Sequence, residues 1–127
     1  MQALLGIDLG TTGIKAALFA TDDGSVLADA FCEYPLYHPH PGWAEQNPAE
    51  WWQATLTAIR ACLSRGEGQG VQPADVRGIG LSGQMHGVVL LDAHHEVLRP
   101  CIIWADQRSE EQSRWITERG GASQLIA

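Results

Sequence analysis

The sequence predicts an α/β fold in which an antiparallel three-strand meander is followed by helix–strand units. Three observations carry that prediction. Residues 4–9 and 14–20 are apolar runs separated by Gly10-Thr11-Thr12-Gly13, a pattern of strand, turn and strand. Asp23-Gly24 then turns the chain into residues 26–34, where apolar positions fall near period two. A strong helix start at Asn47-Pro48 follows, and beyond it residues 76–81 form another apolar run.

The elements have local reasons. Two of the first three strands are apolar throughout, so their sheet is expected to be covered on both faces. Pro35, Pro39, Pro41 and Pro48 remove backbone donors and fix φ, so residues 35–48 are expected to form a loop with no helix or central strand. Asn47 can cap the next helix, Pro48 suits its first position, and Glu50 follows three residues after the cap. Trp52, Leu56, Ile59 and Leu63 lie on one helical stripe. Arg60 and Arg65 suit the negative end of the helix, and Gly66 can stop it.

After a glycine-rich turn over residues 67–72, residues 76–81 read as a buried strand. Residues 88–91 and 97–104 read as extended segments. Ser109-Glu110-Glu111-Gln112 is a capping box, so a helix is expected to run to about Arg119 and to stop at Gly120-Gly121. Gly120-Gly121-Ala122-Ser123 reads as a turn into another helix. Gly78, Gly80 and Gly83 match a dinucleotide fingerprint in spacing, but they fall inside the strand and no helix follows, so that reading is rejected.

Composition narrows the function. The chain has 127 residues, 45% hydrophobic and 18% charged, enough for one domain or part of one with a real core. Fifteen Asp and Glu against eight Lys and Arg give a net charge of −7, which argues against nucleic acid as the partner. No stretch approaches the roughly 18–20 apolar residues of a membrane span. The N-terminus lacks the pattern of a signal peptide. Cys32, Cys62 and Cys101 are far apart and outside any Cys-x-x-Cys pair, as expected for reduced thiols in a cytoplasmic protein. His38, His40, His94 and His95 read as loop histidines, and His94-His95 has no third ligand at metal spacing. Trp43, Trp51 and Trp52 read as packing residues.

The most informative stretch is Asp8-Leu9-Gly10-Thr11-Thr12-Gly13-Ile14-Lys15. Gly10 and Gly13 let backbone approach a ligand closely, and turn amides can form an anion-binding nest. Thr11 and Thr12 can donate to phosphate oxygens. Asp8 repels phosphate as an anion but can hold Mg²⁺ directly or through water. Lys15 is expected to reach the turn from the second strand. A hairpin that merely uses Gly and Thr to turn is the bland alternative; the full order between two strands favours phosphate. It is not a Walker loop, which precedes a helix.

Asp8 to Lys15 resembles the first phosphate motif of the actin-like ATPase superfamily. Residues 39–48, Pro-His-Pro-Gly-Trp-Ala-Glu-Gln-Asn-Pro, are similar to the loop before the first helix of FGGY carbohydrate kinases. Ser82-Gly83-Gln84-Met85-His86-Gly87 resembles the sugar-site segment of xylulokinases in that family. Ile103-Trp104-Ala105-Asp106-Gln107-Arg108 resembles its Trp-x-Asp-x-Arg segment.

The resemblance implies the first lobe of an actin-like, ribonuclease H-like ATPase fold. Residues 1–127 would be its incomplete N-terminal part. It also implies transfer of the ATP γ-phosphate to D-xylulose with Mg²⁺, giving D-xylulose 5-phosphate. Asp8, Gly10, Thr11, Thr12, Gly13 and Lys15 would bind the cofactor, with Asp8 at the metal. Gln84, Met85, His86, Trp104, Asp106 and Arg108 would form the sugar wall. The family's catalytic Asp lies further downstream, so the chain alone is expected to be inactive.

Physically, His86 can exchange hydrogen bonds with a sugar hydroxyl, Met85 can pack on carbon, and Trp104 can stack on a sugar face. An isolated histidine also reads as structural, and Asp106–Arg108 also reads as an ion pair bordering the next helix. Other readings stay open: a kinase for glycerol or gluconate, or a non-catalytic sugar-binding or assembly module. An open sheet edge would suit a homodimer.

Overall fold

A computed structural model of the protein describes residues 1–121. The Ala122-Ser123 part of the expected final turn lies outside the described residues. The meander forms as expected: β1 (Ala3–Leu9), β2 (Gly13–Ala20) and β3 (Val26–Glu33) are antiparallel neighbours. Helix α1 (Pro48–Glu67) crosses over to β5 (Val76–Gly83), which pairs parallel with β1. The sheet order is therefore β3-β2-β1-β5.

Register decides what each face carries. Asp8 lies opposite Lys15 on one side and Ser82 on the other, so these three share a face. Leu5, Ile7, Ile14, Leu18, Ala28 and Ala30 share the other face and form the core with Ala54, Ala58 and Cys62 of α1. Among the described residues, only that face is covered. On the opposite face Leu4 is 45% and Val26 61% exposed, and Phe19 lines an open cavity of about 580 Å³ with Asp8, Lys15 and Asp29. The expected double-sided burial is thus corrected: apolar residues occupy both faces of β2, but α1 covers one of them.

β5 is likewise not buried. Ile79 and Leu81 have the parity of the core face, yet they are 63% and 79% exposed. Helix α1 lies over β2 and β3 and leaves β5 at the uncovered edge. The glycines of β5 sit inside the strand, which agrees with rejecting a dinucleotide turn.

Asn47 caps α1 by accepting from the Ala49 amide at 3.0 Å, with Pro48 in the first turn. Glu50 does not close the capping box; it accepts from the Tyr37 hydroxyl at 2.8 Å. The fully buried stripe is Ala54, Ala58, Cys62 and Gly66; Ile59 and Leu63 of the expected stripe flank it, half-buried against the core, while Trp52 is 60% exposed. The sheet beneath is already filled by Leu5, Ile14 and Leu18, so the helix approaches with its smallest side chains. Gly66 is a contact point rather than a stop; Gly68 takes the C-cap position.

Between the prolines a two-residue strand does form: β4 (Glu45–Gln46) pairs antiparallel with β6 (Cys101–Ile102). Of the extended segments expected beyond β5, residues 97–104 contain β6, and otherwise they make isolated bridges, Leu91 with Val97 and Val88 with Ile102. Ala44, Cys101 and Ile103 make a second small core against Trp51. Helix α2 (Glu110–Gly120) ends where expected, but Ser109 makes no side-chain cap bond. Among the described residues, no helix is long and apolar enough to cross a membrane.

Candidate functional site

The turn between β1 and β2 is held from inside. The Gly10 amide donates to the Gly13 carbonyl at 2.9 Å. The Tyr34 hydroxyl reaches the Gly10 carbonyl and, at 3.1 Å, the Gly13 carbonyl. Burial, with the charge of Asp8 behind it, pushes that hydroxyl up to about 12. A side chain at position 13 has no room, because its Cβ would lie 2.6 Å from the Cys32 carbonyl oxygen.

Asp8, at the end of β1, is exposed and makes no side-chain hydrogen bond or ion pair among the described residues. Next to it the Gln84 amide donates to the Leu9 carbonyl at 2.7 Å, extending the β1–β5 pairing beyond Gly83. That bond sets the segment after β5 beside the turn. His86 there has a left-handed φ of 65°.

A cavity of about 420 Å³ results, lined by Asp8, Gly10, Thr11, Gly83, Gln84, Met85, His86 and Trp104. Residues far apart in the chain thus meet around one space. Met85 is 70% and Trp104 58% exposed, which leaves an apolar side chain and an indole open to a ligand. The Trp104 indole N–H donates to the Thr11 hydroxyl at 3.0 Å, which ties the ring to the turn.

The remaining candidates stand elsewhere. Thr12 is exposed on the turn outside the cavity wall, and Gly13 is packed beneath it. Lys15 lies on the sheet face, its ammonium 3.5 Å from Asp29, and not at the turn, because the register sets it opposite Asp8.

Asp106 and Arg108 form a brace. Asp106 accepts from the Ala44 amide at 2.6 Å and from the Arg108 Nε and Nη2 at 2.8 and 2.7 Å. Arg108 also donates to Glu45 at 2.8 Å and lies 3.6 Å over the Trp43 ring. These bonds hold the Asp106 carboxyl well below the usual carboxylate range and raise Arg108 further. The brace fixes the segment carrying Trp104 against residues 43–45 and takes no part in the cavity wall.

One residue at the site lay inside the 39–48 stretch without being singled out as a candidate. Gln46 of β4 is fully buried and donates from Nε2 to the Thr11 carbonyl at 2.7 Å. Its Oε1 accepts from Gln84 Nε2 at 2.8 Å and Trp51 Nε1 at 3.2 Å. Nothing local marks a glutamine just before a helix cap as important. Two of its three partners stand 35 and 38 positions away.

Among the described residues no group of three or more His, Cys, Asp or Glu side chains could hold a metal. Asp8 offers one unpartnered carboxylate in the cavity, which fits a Mg²⁺ completed by water and phosphate oxygens rather than a protein cage.

Comparison with known proteins identifies the family and the fold. The family described as "FGGY family of carbohydrate kinases, N-terminal domain" matches residues 3–127. The chain is 42% identical over 122 residues to xylulose kinase of Klebsiella pneumoniae, covering 96% of this chain and 24% of that protein. It is 40% identical over 116 residues to gluconokinase of Bacillus subtilis, covering 91% and 21%. The crystal structure of xylulose kinase from Rhodospirillum rubrum superposes with a TM-score of 0.86 at 31% identity, over 99% of this chain and 25% of that one. The chain thus spans about a quarter of the length of these relatives. A family match along nearly its whole length, joined to the same α/β framework in a solved kinase, means that the chain belongs to the FGGY family of carbohydrate kinases and shares the first portion of their actin-like ATPase fold.

Proposed function

We propose that this chain is the N-terminal part of the first lobe of a cytoplasmic kinase that transfers the γ-phosphate of ATP to D-xylulose, giving D-xylulose 5-phosphate. The observation that carries the reading is the single cavity that joins Asp8, Gly10 and Thr11 to Gln84, Met85, His86 and Trp104. A phosphate donor and a sugar hydroxyl must meet at such a junction for in-line transfer.

The roles follow from the chemistry of the side chains. The backbone of residues 10–13 approaches the phosphates, and the exposed Thr12 hydroxyl is available to donate. The Thr11 hydroxyl faces inward, to Gln84 and Trp104, and serves the wall. Asp8 would hold Mg²⁺ directly or through water; when bound, that ion supplies neutralisation of phosphate charge. His86 can exchange hydrogen bonds with a sugar hydroxyl, Met85 covers carbon, and Trp104 offers a stacking face. Gln84 keeps one N–H and one lone pair beyond its internal bonds. The base that takes the hydroxyl proton belongs to the rest of the enzyme, since Asp8 is committed to the phosphate side.

The test is sugar-dependent ADP release by the full-length gene product with D-xylulose, gluconate and glycerol. D-xylulose is expected to give the highest kcat/KM. Gluconate is the second reading, favoured by the 40% identity to a gluconokinase, and a higher kcat/KM for gluconate would replace xylulose. The 127-residue chain alone is expected to release no ADP in response to sugar. Turnover by that chain would overturn the division of labour proposed here.

A further inference from the structure

Gln46, Thr11 and Gln84 close a ring of hydrogen bonds whose direction is dictated by chemistry. The Trp51 indole can only donate, so it fixes the Gln46 carboxamide with its oxygen toward Trp51 and its nitrogen toward the Thr11 carbonyl, which can only accept. The same oxygen receives the Gln84 nitrogen, which leaves the Gln84 oxygen to face the Thr11 hydroxyl at 3.5 Å. Trp104 donates to that hydroxyl and so directs its proton to Gln84. Each amide in the ring has one consistent role: reversing Gln46 would set its N–H against the Trp51 and Gln84 donors, and reversing Gln84 would set its oxygen against the Gln46 oxygen.

From this we infer that Gln46 is a positioning residue for sugar phosphorylation, one that touches neither substrate. It fixes the Gln84 carboxamide and, through Thr11, the Trp104 indole, so that the sugar wall has one orientation relative to the phosphate turn. Gln46 bonds the turn at the Thr11 carbonyl, while Tyr34 and the Gly10 amide hold its two ends at Gly10 and Gly13 independently of that bond. The inference rests on the kinase reading above and adds to it a residue whose effect falls on the sugar and not on ATP.

The experiment is steady-state kinetics of the full-length enzyme carrying Gln46→Met or Gln46→Asn. Methionine keeps the volume and deletes the bonds. Asparagine keeps the amide but is one methylene too short to reach both Thr11 and Gln84, and it serves if the methionine variant does not fold. Either is expected to lower kcat/KM for the sugar about 10- to 100-fold, with a higher sugar KM and an ATP KM within about threefold of wild type. A cycle with Gln84→Met is expected to be non-additive, the double variant losing little more than the worse single one.

A residue that merely packs would lower the active fraction, reducing kcat with both KM values unmoved, and would add independently to Gln84→Met. Either of those results, or wild-type kinetics in both variants, overturns the inference while the kinase reading stands. If the wild-type enzyme phosphorylates none of the sugars, the kinase reading falls and takes this inference with it.

Discussion

At Asp8 and Tyr34 two side chains beside one turn do different work. Asp8 is exposed and unpartnered among the described residues, so Asp8→Asn is expected to leave stability within about 0.5 kcal/mol. On the proposed reading the same change should cut kcat of the full-length kinase about 100-fold or more, because it removes the carboxylate that would hold the Mg²⁺ neutralising the phosphates. Thermal unfolding together with ADP-release kinetics checks both. Tyr34 is 7% exposed and satisfies the Gly10 and Gly13 carbonyls. Tyr34→Phe should cost about 1–3 kcal/mol at pH 7 by leaving a carbonyl without its donor. Its folded value, near 12, lies above the unfolded value of about 10. Protonated Tyr34 therefore contributes in full below about pH 10, and the contribution disappears as pH rises toward 12. Urea unfolding should show a constant gap between wild type and Tyr34→Phe from about pH 7 to 9, narrowing above 10.

Among the elements, α1 shows how packing overrides propensity. Alanine at position 66 would favour an isolated helix by about 1 kcal/mol over glycine. In the fold, its Cβ would lie 2.6 Å from Leu18 Cδ1, and Leu18 is fully buried. Gly66→Ala is therefore expected to destabilise by about 1–3 kcal/mol despite the better propensity, as measured by urea unfolding. The start of α1 was legible because capping is local: the Asn47 oxygen and the Ala49 amide are two residues apart. Its buried face was legible only at Ile59 and Leu63, which flank the contact; its centre was not, because Ala54, Ala58 and Cys62 carry little hydrophobic signal and are chosen by the sheet beneath. The same holds for β4 and β6, whose pairing depends on chain 55 or more residues away.

The whole molecule has an uneven distribution of burial. Leu18 and Leu81 are both leucines on the core side of one sheet, but the first is fully buried and the second 79% exposed. Leu18→Ala is expected to cost the 127-residue chain about 2–5 kcal/mol and Leu81→Ala less than about 0.5, by urea unfolding. Equal losses would mean that β5 is covered in solution. Strand parity was readable from the pattern, but coverage was not, because it depends on where α1 lies across the sheet.

The sequence by itself determined the order β1-β2-β3-α1-β5-α2, the turn at residues 10–13 and the four segments that belong together in one family. Those are local or contiguous signals, carried by glycine, proline, capping residues and apolar runs. Tertiary structure decided which candidates share the cavity. It brought Thr11, Gln84 and Trp104 into contact, took Lys15 onto the sheet face, and turned Asp106 and Arg108 into a brace. It also introduced Gln46, whose importance comes from hydrogen bonds to residues that are neighbours only after β1, β4 and β5 have found their places.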